Sequence, residues 1–344
     1  MAFIQWIHHF IKRKAMMKRL FFTALLTAAI LSSSAQQDSQ YTQYVFNTIH
    51  LNPAYAGYKQ DVYVQSFFRS QWVGVKGAPV SFSIAADGAV NDGNVGLGVI
   101  IANDKIGAQT NLSGYANYAY KIQMGYDEQS NLSFGIAAGL MQLGLDGTRL
   151  GGIDPNDELI PVNNETRTFP DARFGAYYAN SKFFVGLSAT NIIAAWASRR
   201  GSNSNLLVPV PQPHLYLNAG MLIPLGYGLD FKPVILLKDD TKGPTSLDVN
   251  AFFLLNEKVW IGGFYRTSVP LYNKKALENG LTKKSALGMM FELFVSNNFK
   301  VGYSYDYALN KLRDYNYGSH EISAGFYINR KIGKRDRQLR CYDF

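Results

Sequence analysis

Cysteine is almost absent: Cys341 stands alone among 344 residues, which excludes an internal disulfide and a zinc site built on paired cysteines. Charged residues are also scarce, at 17%, too few for intrinsic disorder or a coiled coil. Past residue 35 no apolar run reaches the roughly 18 residues of a membrane-spanning helix. The histidines beyond that point, His50, His214 and His320, lie far apart and lack metal-ligand spacing. No Gly-x-x-x-x-Gly-Lys-Ser/Thr loop occurs, and Gly96-Leu97-Gly98 falls inside a strand-like run rather than at a helix start. Nothing here calls for a metal or cofactor.

The chain does carry an excess of cations, 34 Lys+Arg against 25 Asp+Glu, or +9. Their positions decide what this means. Met17-Lys18-Arg19, an apolar run from Leu20 to Leu31, and Ser32-Ser33-Ser34-Ala35 read as a secretory signal peptide. Cleavage after Ala35 leaves Gln36 as the mature N-terminus, and a residue other than cysteine there excludes a lipoprotein anchor. The preceding Met1 to Met16 stretch reads as an upstream start or an extended n-region, with an amphipathic membrane helix as the alternative. Five cations leave with this leader, and six more cluster between Arg330 and Arg340 beside Asp336 and Asp343. Residues 36 to 329 then hold 23 basic and 23 acidic side chains, so a nucleic-acid face has lost its support.

A period of two recurs along this neutral body. Val249, Ala251 and Phe253 alternate with Asp248, Asn250 and Phe252, and Tyr303, Tyr305 and Tyr307 with Gly302, Ser304 and Asp306. Ile322, Ala324 and Phe326 alternate with Glu321, Ser323 and Gly325, and Ala172, Phe174 and Ala176 with Asp171, Arg173 and Gly175. Fourteen such segments can be placed, near 61–71, 78–87, 94–103, 109–123, 130–145, 169–179, 182–191, 213–224, 228–238, 245–255, 259–268, 284–295, 299–309 and 319–329. Every second connection is short, as at Asn180-Ser181 and Asn256 to Lys258, while Asp146 to Thr168, Ile192 to Gln212 and Val269 to Lys283 are long.

An even strand count with alternating turn lengths predicts an all-β, closed up-and-down, transmembrane outer-membrane β-barrel of about 14 antiparallel strands. In lipid a sheet spans only when closed, with an apolar exterior and a lumen that accepts Asp171, Arg173, Asp248 and Asp306. Strand by strand, the wet face of a soluble sheet fits the same pattern. The last segment ends Gly325-Phe326-Tyr327-Ile328, resembling the glycine-plus-aromatic signal by which such barrels are recognised for insertion.

Chemistry-bearing clusters are few. Asp154, Asp157 and Glu158 offer oxygen ligands for calcium but without regular spacing, and a solvated external loop is the alternative. Lys274-Lys275 and Lys283-Lys284 flank an external loop, either to contact acidic polysaccharide or to keep the loop soluble. His320 and Asp306 fall on neighbouring strands, the only hint of a membrane hydrolase. No enzyme is expected.

Two segments go beyond barrel physics. Gln40-Tyr41-Thr42-Gln43-Tyr44-Val45-Phe46-Asn47, then Leu51-Asn52-Pro53-Ala54-Tyr55-Ala56-Gly57, open the mature chain, and Arg69-Ser70-Gln71-Trp72-Val73-Gly74-Val75-Lys76-Gly77-Ala78-Pro79 follows at the first hairpin. Together these resemble the PorP/SprF family of type IX secretion system membrane proteins of the Bacteroidetes. The resemblance implies an outer-membrane component that assists export or surface anchoring of cargo bearing a C-terminal sorting domain, such as adhesins. It also implies contact with the periplasmic secretion ring and peptidoglycan-binding components. A diffusion channel for small or hydrophobic solutes is the alternative.

The expected organisation is a signal peptide with its extension (1–35), a periplasmic leader or plug (36–60), the barrel (61–329) and a basic periplasmic tail (330–344). Tyr41, Tyr44 and Phe46 are expected to pack the leader into the periplasmic mouth, with Pro53 and Gly57 forming a compact turn. Arg69 is expected to face inward beside Gln71, Trp72 to anchor at the outer interface, and Gly74, Gly77 and Pro79 to shape an external turn. These residues, with Gln43, Asn47, Asn52, Ala54 and Tyr55, either serve the fold or touch a partner directly.

Overall fold

Alternating side chains meet two solvents in a membrane barrel, and the strands follow from that. The computed structural model describes residues 40–124, 130–150, 163–200, 211–241, 243–272, 274 and 284–328. The signal peptide, Asp154, Asp157, Glu158, Lys275, Lys283 and the basic tail lie outside the described residues.

The chain first forms β1 (Val62–Ser70), β2 (Val80–Val90), β3 (Val95–Ile106), β4 (Gln109–Gln123) and β5 (Asn131–Asp146). There follow β6 (Asn164–Ala179), β7 (Phe183–Thr190), β8 (His214–Met221), β9 (Ile223–Gly226) and β10 (Leu229–Asp240). The remainder are β11 (Ser246–Leu255), β12 (Val259–Ser268), β13 (Lys284–Phe294), β14 (Phe299–Ala308) and β15 (Ser319–Ile328). All pairings are antiparallel, and β15 joins β1 along nine residues from Val62↔Ile328 to Ser70↔His320, closing the ring. Because β9 continues β8 past Leu222 and pairs only with β10, the wall is a closed barrel of 14 spanning strands.

Outward positions are apolar and exposed, including Val99, Ile101, Leu140, Leu187, Met289 and Ile322. Inward positions of the wall hold Asp171, Asp248, Asp306 and Glu321, all buried. At one end the connections are tight. Asn91 and Asp92 (φ 53° and 54°), and Asn256 and Glu257 (φ 47° and 56°), take the paired left-handed conformation that matches the twist of a hairpin. Opposite lies the loop end, where Gly107-Ala108 is an exception: it joins β3 to β4 in two residues. β6 starts at Asn164, earlier than expected, so the preceding loop is shorter than its sequence range.

The connection after β7 carries a helix, α1 (Ile192–Arg200), where only a long loop was expected. Asp171 on β6 holds its first turn, accepting from Ala194 N at 3.1 Å, and Ala194 packs on Met141, Leu143 and Phe169. The helix thus folds against inward-facing wall residues at the loop end.

The leader differs in position from the expected periplasmic mouth. It runs inside the lumen from Gln40, in the loop-side half, to Gln60 at the turn end, through 3-10 turns at Gln43–Phe46, Thr48–His50 and Pro53–Tyr55. Asn47 and Asn52 each cap the turn that follows through a side-chain oxygen. Tyr44, Val45 and Phe46 join a core with Phe252, Trp260 and Phe264, while Ile49, Ala54 and Tyr55 pack on Ala85, Ile100 and Tyr177. The physical reason is volume: a ring of this size leaves a lumen that wall side chains do not fill. Wall glycines let the leader backbone lie directly on the strands. A Cβ on Gly96 would stand 1.8 Å from Ala56 O, and one on Gly135 2.2 Å from Ala54 N.

Replacing Gly96 or Gly135 with leucine should therefore unseat the leader, with a cost of about 1–3 kcal/mol or more. In a Cys341→Ser background, an Ala54→Cys thiol should be inert to a membrane-impermeant maleimide in the parent and reactive in either leucine variant. Equal protection in all three would refute the close packing.

Candidate functional site

Three strands place charge at one point on the inner wall. Register sets Arg69 of β1 opposite Glu321 of β15, and Glu321 opposite Ser304 of β14, so Asp306 lies two residues farther along. Arg69 reaches Asp306 Oδ2 with NH2 at 2.6 Å and Glu321 Oε2 with NH1 at 3.2 Å, with side chains 2%, 4% and 0% exposed. Such burial is tolerable only where each charge is paired and hydrogen-bonded.

The leader supplies the missing bonds. Thr42 N and Gln43 N each donate to one carboxylate oxygen of Glu321 at 2.8 Å. Thr42 Oγ1 donates to Asp306 Oδ2 and accepts from Arg69 NH1, both at 2.8 Å. Gln43 donates from Nε2 to Glu321 O at 3.1 Å and accepts from Ser323 Oγ at 2.7 Å. Beyond Asp306, Arg266 of β12 grips both carboxylate oxygens of Asp248 on β11 at 2.8–3.0 Å, and Asn250 donates to the Tyr44 hydroxyl at 2.8 Å. Farther along the leader, Asn52 Nδ2 bonds Ala176 O and Leu187 O, Gly57 N bonds Asp87, and Lys121 donates to Gly57 O. The arrangement holds a polypeptide segment against a wall.

The structure brings the two sequence motifs together here. Tyr41, Gln43, Tyr44, Phe46, Asn47, Asn52, Pro53, Ala54 and Tyr55 are buried in the lumen, and Arg69 is their charged wall partner. Gln71 lies just past the strand end, with its N–H bonded to Pro79 O, and shares a luminal cavity with Arg69. Trp72, expected at the outer interface, has φ 50° and lines a luminal cavity of about 210 Å³ together with Gln71 and Arg69. Gly74 and Gly77 occupy left-handed conformations in the loop that ends at Pro79, and Gly57 does so where the leader meets the turn end. Sequence reasoning placed Asp306 and Asp248 in the lumen but missed Thr42, Arg266 and Glu321 as partners. The inward register of Glu321 between Ile322 and His320 was the available signal.

Other candidates separate. His320 lies on the outer face against Tyr303, whereas Asp306 faces in, so the two do not form a pair. Among the described residues no three His, Cys, Asp or Glu side chains gather as metal ligands. His50, in the leader, is wedged between Tyr41 and Phe67, and burial, assisted by Arg173, lowers its pKa to about 3.

A family model described as type IX secretion system membrane protein PorP/SprF matches residues 33–326. The chain belongs to this family. Comparison with curated proteins finds no match. Among solved structures, a Pseudomonas aeruginosa FadL homologue is 9% identical over 87% of this chain and 96% of its own, with a TM-score of 0.42. A TodX deletion mutant, a monoaromatic hydrocarbon channel, is 9% identical over 81% of this chain and 92% of its own, at 0.45. A Rh. blastica porin mutant is 10% identical over 78% and 99%, at 0.33. At these scores the likenesses add nothing to the fold seen in the strand pairing itself.

Arg69→Ala should destabilise the folded barrel by about 3–5 kcal/mol, because it removes the guanidinium that buried Asp306 and Glu321 share. Heat-modified migration on a detergent gel should shift to lower temperature, and an unchanged transition would remove the lock from the fold's support. His50 predicts a second effect. The unfolded imidazole protonates near pH 6.5 and the folded one only near 3, so stability should fall as pH drops through that window. His50→Gln should flatten this part of the pH profile.

Proposed function

We propose that this family member is a non-catalytic outer-membrane component that assists export or surface anchoring of type IX cargo bearing a C-terminal sorting domain, and does not act as a diffusion channel. The observation that carries the reading is the leader locked inside the lumen by Arg69, Asp306 and Glu321. A pore for solutes needs a continuous wet path, and here the lumen is occupied by apolar and charge-paired polypeptide. Membership of the family supports a place in the secretion system, and the apolar exterior supports residence in lipid. The loop end faces outward in this reading and is the side available to cargo. Periplasmic ring and peptidoglycan-binding components would meet the turn end, where β15 finishes at Ile328.

Deleting the gene should deplete the cell surface of proteins with C-terminal sorting domains, measured by surface biotinylation and mass spectrometry. The purified protein should show no stable single-channel openings in planar bilayers. Robust conductance together with an unchanged surface proteome would overturn the proposal in favour of the channel.

A further inference from the structure

The loop end carries a second built feature that the lumen does not use. Loop 71–79, which holds the latter part of the Arg69 motif, is fastened to loop 309–318 by a small two-way bridge. Val73 N donates to Gly318 O at 2.9 Å and Tyr317 N to Val73 O at 2.8 Å. Trp72 N adds a bond to Ser319 Oγ at 3.1 Å, and Gly107 N ties the β3–β4 turn to Gly77 O at 2.9 Å. Gly74 lies so close that a Cβ there would stand 2.8 Å from the Tyr317 ring. Asn310 caps the 3-10 turn Lys311–Tyr315, and the Asn316 side chain bonds Leu312 O. These bonds tie the two loops to each other and to the wall.

What they present is unlike the apolar exterior. Tyr315 and Tyr317 are 75% and 77% exposed. They follow β14, whose ten residues, tilted as barrel strands are, already cover an apolar band of about 25 Å. Beside them stand the exposed Lys76, Lys311 and Arg313, against Asp314 alone in the same two loops. The luminal cavity of about 210 Å³ shares Trp72 and Asn310 with these loops, and its lining holds Arg69, Lys238 and Arg266 against Asp240 and Asp306. The platform has a positive excess, whereas in the cavity Arg69 and Arg266 are already paired with Asp306, Glu321 and Asp248.

Rigid tyrosines flanked by cations, next to a small polar recess, form a protein-recognition surface: the rings supply contact area at low entropy cost and the charges select the partner. We infer that the paired loops 71–79 and 309–318 are the docking surface for an acidic, aromatic-containing polypeptide segment. The inference rests on the export and anchoring reading and names the chemistry of the cargo segment that it would hold. A lipid headgroup is the competing occupant.

The test uses the full mature chain in lipid nanodiscs and a fluorescein-labelled short peptide rich in Asp and Glu with two phenylalanines. Fluorescence anisotropy should show saturable binding that weakens about tenfold or more in Lys76→Glu/Lys311→Glu/Arg313→Glu and in Tyr315→Ala/Tyr317→Ala. Heat-modified migration on a detergent gel establishes that each variant is folded. Binding of a lysine-substituted peptide as tight as that of the acidic one, or equal affinity in parent and variants, would overturn the docking surface. So would variants that alter retention of lipopolysaccharide in the nanodisc while leaving peptide binding intact. In cells, cargo lost on gene deletion but displayed normally by the triple charge variant would sink the surface and leave the export reading standing. Cargo unaffected by deletion would sink the reading itself.

Discussion

Glu321 joins three distant parts of the chain at one carboxylate. Its carboxylate receives two consecutive backbone N–H groups, from Thr42 and Gln43, while Arg69 on the neighbouring strand neutralises it. Leader, first strand and last strand meet at that point. Without the leader, Glu321 would keep only Arg69 as a partner, and Asp306 only Arg69 and, at 3.8 Å, Arg266; without Arg69, Glu321 would lose its cation. The burial of charge and the burial of the leader are therefore one event, and neither is stable alone.

The same event explains the division of the wall. Outside, fourteen strands show lipid a near-uniform apolar surface, as spanning requires. Inside, the wall alternates between glycines that admit backbone and charged residues that grip it. Gly175 and Gly186 give way to Asn52, whose amide then bonds the wall at Ala176 O and Leu187 O. A lumen built to be wet would have no use for that shape, and the leader's contacts resemble a domain core more than a removable cork.

The strands were legible in the sequence because a closed membrane sheet leaves a strict period of two and a strict rhythm of turns, and both survive in residues such as Val249 to Phe253 and at Asn256-Glu257. The lock was only half legible. Asp248 and Asp306 could be placed inward from their register, but the partners of Asp306 lie hundreds of residues away, at Thr42 and across the seam at Arg69, and periodicity carries no information on distant pairing. Helix α1 was missed for a related reason: Asp171 on a remote strand holds its first turn, so the local sequence reads as loop. The leader was read as apolar and turn-rich, yet its depth in the barrel follows from lumen volume, which only the closed ring defines.

The order of the chain gives the lock one further meaning. Residues 42 and 43 precede every described strand, yet the carboxylate that receives them sits on β15, the last of them. The earliest segment must wait, unsatisfied, through the synthesis of the whole wall. Contacts of such sequence separation form late and report on everything between them. Seating of the leader is thus a signature of completed closure: a barrel missing its final hairpin cannot hold its own beginning.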